Sequence, residues 1–410
     1  MRNLGAGREL ITGSFDLASA DDQARVRQLA DELLAAGLDA STGTDGPPGE
    51  PPLDLALAAK LARSKAAVAE LTWPGPVAVV FAMWGEQRRL RPRTAQNPTG
   101  EDALVTKLDQ LDWLLAGTGV EWSIVAVDDG DPDDSAGVAR EQAERHAQGH
   151  RVEVLRLGEA LPAVTGPLAG LADTGDSRKG GAIVLGAAHA VDAGAEAVVL
   201  TDADNSVNLA QLGLLLGPFA RGGAGAVVGD RKHVDSVLVK AEARWGPGIV
   251  VLRHMQRMVG RALFDQGLRD TQAAFKLYGR PALDSILAAP STFGFSFDSD
   301  WLYATVAAGE RVERVPFAFI DSFEESASIT QGPMTTWASL LTGLVAAARA
   351  READHDEEMA AVIDEVAVVD VLERVVEAVP DELRDVPDHQ LGQRAVMGPA
   401  QLRAWVDTLG

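Results

Sequence analysis

Two apolar runs in this chain end in paired acids. Ile124-Val125-Ala126-Val127 leads into Asp128-Asp129-Gly130-Asp131, and Val198-Val199-Leu200-Thr201 leads into Asp202-Ala203-Asp204-Asn205. Asp202 and Asp204 are two apart, so in extended chain they share a face and can approach one hard cation together. Mg²⁺ or Mn²⁺ keeps several waters and takes one or two carboxylates plus substrate phosphates. The pair therefore suits a metal–diphosphate better than a closed protein cage. Between the two acid pairs lies Ser177-Arg178-Lys179-Gly180-Gly181-Ala182, which opens a helical pattern. Glycines let backbone come close to a ligand, and a helix N-terminus with two cations favours phosphate. The spacing is not that of a P-loop. Further on, Phe293-Gly294-Phe295-Ser296-Phe297-Asp298-Ser299-Asp300 sets two acids among aromatic rings. A carboxyl partly desolvated there has a raised pKa, which suits a general base. The same acids also fit as caps of a helix over 301–308.

The elements that must position these groups are legible around them. Apolar runs at 77–82, 122–127, 152–157, 197–200 and 224–228 alternate with helical patterns at 102–115, 135–148 and 180–193. Runs apolar on both faces, separated by helices, make an open, mostly parallel α/β sheet sandwiched by helices. Ligands in such sheets bind beyond the carboxyl ends of the strands, where both acid pairs fall. Residues 1–73 read as a helical N-terminal extension, with Ser19 capping a first helix, a mobile loop at 41–52 and a second helix from Leu53. Residues 74–333 form the α/β domain, with a final strand and its loop over 314–326. Residues 334–410 form an acidic helical extension. Met359, Val362, Val366, Val369 and Leu372 give that extension an apolar stripe. The stripe must be covered, by the chain's own α/β region or by a second copy in a homodimer.

The order of motifs resembles a family 2 glycosyltransferase of the GT-A fold, and is most similar to the dolichyl-phosphate glucosyltransferase and polyprenyl-phosphate mannosyltransferase branch. Six motifs over residues 75–328 carry the resemblance: Met83-Trp84-Gly85-Glu86, Asp128-Asp129-Gly130-Asp131, Arg178-Lys179-Gly180-Gly181-Ala182, Asp202-Ala203-Asp204, Asp270-Thr271-Gln272-Ala273-Ala274-Phe275-Lys276 and Phe297-Asp298-Ser299-Asp300. The first keeps only the acid of the family's Tyr-Asn-Glu. The resemblance implies an inverting transfer from a nucleoside-diphosphate sugar to a hydroxyl. It implies that Glu86 and Asp128 contact base and ribose, and that Asp129, Arg178, Lys179 and Gly180 line the nucleotide-sugar site. It also implies that Asp202 and Asp204 hold the metal, that Gln272 lines the donor or metal side, and that Asp298 or Asp300 is the base. Asp300 is the favoured base, as the later acid and the one nearest the helix start facing the cleft. Asp298 then orients it or binds the acceptor.

Composition narrows the partners. The chain has 410 residues, no cysteine and a formal charge of −23. That excludes thiolate metal sites, disulfides and a cysteine nucleophile, and it argues against nucleic acid or an anionic lipid surface. No transmembrane stretch and no signal-peptide core are visible, so a soluble, cytoplasmic protein with a small soluble acceptor is expected. A uridine diphosphate donor is favoured and a guanosine diphosphate donor comes second. Two other readings compete. One is a sugar-phosphate nucleotidyltransferase, whose signature Arg89-Leu90-Arg91-Pro92-Arg93-Thr94 faintly matches. The other is a nucleotide-sugar-binding protein without catalysis.

Overall fold

The computed structural model describes residues 15–37, 51–73, 75–239, 246–321 and 332–410. Most of the expected 41–52 loop, and the loop after residue 321, lie outside the described residues.

The strands fall within a residue or two of the apolar runs: β1 Val77–Met83, β2 Trp122–Asp128, β3 Val152–Arg156, β4 Ala197–Thr201 and β5 Ala226–Gly229. They join β7 Phe275–Gly279 and β8 Val312–Val315 in one sheet of order β3-β2-β1-β4-β7-β5-β8. β7 runs antiparallel to both β4 and β5, and every other pairing is parallel. The short strands β6 Val237–Val239 and β9 Ala318–Ile320 form a separate parallel pair. The expected open, mostly parallel sheet is thus present, and β7, with the short β6 outside the sheet, was not announced by the apolar pattern.

Alternation along β1 shows how the sheet is covered. Val77, Val79, Phe81 and Met83 point into one buried layer, while Ala78 and Val80 point into the opposite one. The first layer contains α3 Ala103–Leu115, α4 Ser135–Arg145 and α6 Gly213–Ala220. The second contains α5 Gly180–Asp192, α9 Arg280–Ala288 and α10 Phe297–Ala307. β1 leads to β2 on one side and neighbours β4 on the other. The chain order therefore reverses between β1 and β4, which makes the crevice at their carboxyl ends the place for a ligand.

The terminal helices pack on this frame. Ser19 caps α1 Ala20–Ala35, accepting the Asp22 N–H at 3.2 Å. With α2 Leu53–Ala69, α1 covers Ala210, Ala318 and Ile320. Buried Gln23 accepts from Gln110 of α3 at 3.0 Å and from Asn208 at 3.1 Å, tying the pair to the loop that follows β4.

The C-terminal stripe is buried within the chain. Met359, Val362, Val366 and Leu372, on helices Glu357–Val366 and Val369–Val376, pack with the helix Pro333–Ala350 against α7 Ile249–Val259 and α8 Arg261–Phe264. Gly343 brings Pro333–Ala350 onto the start of α10, since a Cβ there would lie 1.8 Å from Ser296 Oγ. A last helix, Pro399–Asp407, closes the chain.

His254 on α7 is fully buried; its Nε2 meets the Met397 carbonyl at 2.9 Å and its Nδ1 accepts the Gly392 N–H at 3.0 Å. Burial lowers its pKa, the Met397 bond opposes this, and Arg257 adds to the lowering. A folded-state pKa below the unfolded value gives stability that is full above about pH 6.5 and lost as pH falls toward the folded value. In denaturant unfolding, the stability margin of wild type over His254→Gln is expected to shrink between about pH 7 and 5. A margin independent of pH would contradict this.

Candidate active site

The carboxyl ends of β1, β2 and β4 bring Glu86, the Asp128–Asp129 pair and the Asp202–Asp204 pair around one crevice. Asp128 and Asp129 are almost fully buried, whereas the Asp202 side chain is 34% exposed. Lys179, at φ +74 just before α5, joins the two pairs. Its backbone N–H donates to Asp129 Oδ2 at 2.7 Å and its ammonium donates to Asp202 Oδ1. Burial alone would raise the pKa of Asp202, but the Lys179 charge and hydrogen bond hold it down. Asp129 also accepts the Ser177 hydroxyl, and burial outweighs these bonds to push its pKa up to about 6. Asp128 Oδ1 is engaged in its own turn, accepting the Gly130 and Asp131 N–H groups at 2.9 and 2.8 Å, with Arg156 at 3.5 Å from Oδ2.

Glu86 is paired with Arg89 at 2.5 Å, and Arg89 in turn lies 3.2 Å from Glu101. Burial pushes the Glu86 pKa up to about 7, against the Arg89 charge and with help from Asp204 and Glu101. Arg91 lies 3.6 Å from Glu141, and Arg93 lies 2.5 Å from Asp16. Each arginine of the 89–94 stretch is therefore matched to a carboxylate of the protein.

Two expectations about the site are corrected. The phosphate cradle at Gly180 is occupied by protein. A Cβ on Gly180 would lie 2.6 Å from the Phe293 carbonyl, so glycine is required there by the backbone of residues 293–294 and not by an open ligand cavity. The Phe293 carbonyl accepts the N–H groups of Arg178 at 2.9 Å and Gly181 at 3.3 Å, and the Ser177 hydroxyl also accepts from Gly181. The Arg178 guanidinium is exposed and turned to the carbonyls of Gly175 and Ser177, leaving the Lys179 ammonium as the side-chain cation of this turn that hydrogen-bonds an acid of the site.

The second correction concerns Asp300. The helix expected over 301–308 begins one turn earlier, at Phe297, so Asp298 and Asp300 both lie in its first turn and diverge by about 200°. Asp300 does not face the cleft. It is fully buried, gripped by the Arg351 guanidinium at 3.0 and 3.3 Å, and accepts the Ser291 N–H at 2.9 Å. Asp298 faces β7, where the fully buried Lys276 ammonium meets it. Gln272 reaches the Ser299 hydroxyl at 3.3 Å and so lies along the same helix start.

Sequence reasoning missed Arg231. It follows β5, binds Asp270 through both sides of its guanidinium at 2.7 Å, and is 17% exposed. Burial acts against its charge, yet Asp270, Asp202 and Asp298 together raise its pKa. Arg231 is thus within electrostatic reach of both the acid pair after β4 and the acid at the start of α10. Gly229-Asp230-Arg231 ends an apolar run just as the acid pairs do, and that was the signal available. It also missed Lys107, fully buried on α3, whose ammonium donates to the Asp204 carbonyl. Burial lowers its pKa against the pull of Asp204, Glu101, Asp202 and Glu86. Its signal was a cation sharing a helix face with Leu104, Leu108 and Leu111.

The donors around Asp202 and Asp204 are open oxygens rather than a closed cage. Among the described residues no group of three His, Cys, Asp or Glu side chains gathers closely enough to cage a cation. Asp204 Oδ1 accepts the Ser206 N–H at 3.0 Å. Two nearby buried oxygens, Thr201 Oγ1 and Asn205 Oδ1, have no hydrogen-bond partner. Two partly exposed carboxylates among unpartnered oxygens fit a hard cation that shares its coordination with water and a diphosphate.

No family model and no curated protein matches the chain. Solved structures do. Glucosyl-3-phosphoglycerate synthase from Mycobacterium tuberculosis, in complex with Mn²⁺, UDP-glucose and phosphoglyceric acid, is 16% identical, covers 76% of this chain and 88% of its own, and superposes with a TM-score of 0.46. The same enzyme with Mn²⁺, UDP and glucosyl-3-phosphoglycerate is 17% identical over 74% of this chain and 86% of its own, with a TM-score of 0.44. A mycobacterial protein is 17% identical over 75% of this chain and 82% of its own, with a TM-score of 0.45. Likeness of this size leaves activity to be argued from the site. Among the described residues, no helix is long and apolar enough to cross a membrane.

Proposed function

We propose that this protein is a metal-dependent glycosyltransferase of the GT-A, family 2 type. It moves a sugar, with inversion, from a nucleoside diphosphate to a hydroxyl of a small soluble acceptor such as a specialised metabolite. A uridine diphosphate donor is favoured, with guanosine diphosphate second. The observation that carries the reading is Lys179, whose backbone N–H and ammonium join the acids after β2 to those after β4 at the switch point of the sheet.

In this reading Asp202 and Asp204 hold Mg²⁺ or Mn²⁺, which stabilises the charge that grows on the leaving diphosphate. Lys179 and Arg231 add fixed positive charge on the same side. Glu86, Asp128 and Asp129 line the nucleoside side. Asp298, held by the Lys276 ammonium, takes the proton of the attacking hydroxyl. Asp300 and Arg351 hold the helix that carries it. A single inverting displacement needs no covalent nucleophile.

The nucleotidyltransferase reading needs a loop free to wrap a triphosphate, and the pairing of Arg89, Arg91 and Arg93 with protein acids counts against it. Product analysis tests the choice. With a nucleoside-diphosphate sugar, Mn²⁺ and a panel of small hydroxylated acceptors, free nucleoside diphosphate is expected. Pyrophosphate formed from a sugar phosphate and a nucleoside triphosphate would establish the rival. Binding without either product would establish a non-catalytic protein.

A further inference from the structure

Lys107 is out of place by ordinary rules. It is fully buried on the apolar face of α3, between Leu104, Leu108 and Leu111, with its ammonium 5.8 Å from the centre of the Phe81 ring. An ammonium in such a layer is strongly unfavourable unless it is paired and hydrogen-bonded, and a methionine would fill the same volume without that penalty. The hydrogen bond it makes goes to the main-chain carbonyl of Asp204. The same turn is clasped from a second side. Glu101 Oε2 accepts the Asn205 N–H at 2.9 Å, and the Asn205 amide donates to the Glu101 carbonyl at 2.9 Å. Arg89 then links Glu101 to Glu86, so one buried chain of contacts runs from the end of β1 to the end of β4. It holds the turn from behind, and Asp204 Oδ2 makes no hydrogen bond among the described residues.

We propose that Lys107 is a positioning residue: by fixing the Asp204 carbonyl it sets the Asp202–Asn205 turn in the shape that presents both carboxylates to a divalent cation. This rests on the metal reading above. The sign of the effect separates positioning from mere charge. A buried ammonium repels a second cation, so removing it by charge alone would tighten metal binding. Weaker binding on its removal has the sign of lost shape, opposite to that of relieved repulsion, and it persists at a pH high enough that the site carboxylates are ionised in both proteins.

The test is Mn²⁺ binding to the full chain in the presence of UDP, read from the electron paramagnetic resonance of free Mn²⁺, with turnover as a second readout. Lys107→Met is expected to weaken Mn²⁺ binding at least ~10-fold, the lower end of what losing an outer-shell partner costs. Should that variant not fold, Lys107→Met with Glu101→Gln removes one charge of each sign and keeps an oxygen for the Asn205 N–H. The same weakening is expected of it. A lysine that serves only stability would lower the unfolding temperature and leave Mn²⁺ affinity unmoved. Affinity that is unchanged or tighter in a folded variant overturns the proposal and leaves the metal reading standing. A wild-type protein that binds no Mn²⁺ overturns both.

Discussion

Asp204→Ala is expected to reduce turnover at least ~100-fold with the fold intact, the size seen when one preorganised electrostatic stabiliser is removed. The expectation follows from position. Asp204 lies just past the end of a fully buried strand, is only partly buried itself, and spends one carboxylate oxygen on the Ser206 N–H. Losing that turn bond alone costs about 0.5–1.5 kcal/mol of stability, too little to unfold a domain of this size. Asp204→Asn keeps an oxygen for the Ser206 N–H and removes the charge, so it should lose turnover with a smaller loss of stability. Unfolding curves for both variants separate the two effects. Wild-type activity that survives EDTA would refute the metal proposal.

The second large effect separates the two acids of α10. With saturating donor, Asp298→Asn is expected to lower turnover by ~10²–10⁴-fold, the usual size of general-base catalysis, with donor binding unchanged. Asp300 should differ in turnover rather than in stability, since Asp298→Asn also leaves a fully buried cation, Lys276, without its partner. Asp300 is buried against Arg351, itself 12% exposed and anchored to the Ala289 carbonyl at 2.6 Å. Breaking such a pair by removing one partner leaves a buried charge without compensation, at about 3–5 kcal/mol. Asp300→Asn and Arg351→Met should therefore both lose stability while the folded fraction keeps most of its turnover. If Asp300→Asn instead abolishes turnover at unchanged stability, and Asp298→Asn does not, the roles are reversed. The Arg351 contact also explains why the C-terminal helices matter to the site. They carry the cation that fixes the helix bearing Asp298.

Sheet, strand ends and acid pairs were legible because each is written locally. A buried strand between covering helices is apolar on both faces, and where it meets solvent the chain turns polar at once. That transition places Asp128, Asp202 and Asp204 without knowledge of any neighbour. β7 was not legible from the apolar pattern because Lys276 interrupts it, and the lysine is there to meet Asp298, an acid 22 residues away in the chain.

What the residues by themselves determined, then, is the α/β alternation, the strand ends at which the acid pairs fall, and the types of group found there; the order that sets β4 beside β1 came from the tertiary structure. The tertiary structure decided which of those groups are spent on the protein. Gly180 serves the backbone of Phe293, Asp300 serves Arg351, and Lys107 holds a turn 97 residues away. The reason is physical. Secondary structure and solvent boundaries follow from hydrophobic period and backbone geometry over a few residues. The fate of a charge depends on which opposite charge the fold buries beside it, and that partner is set by packing between elements distant in the chain.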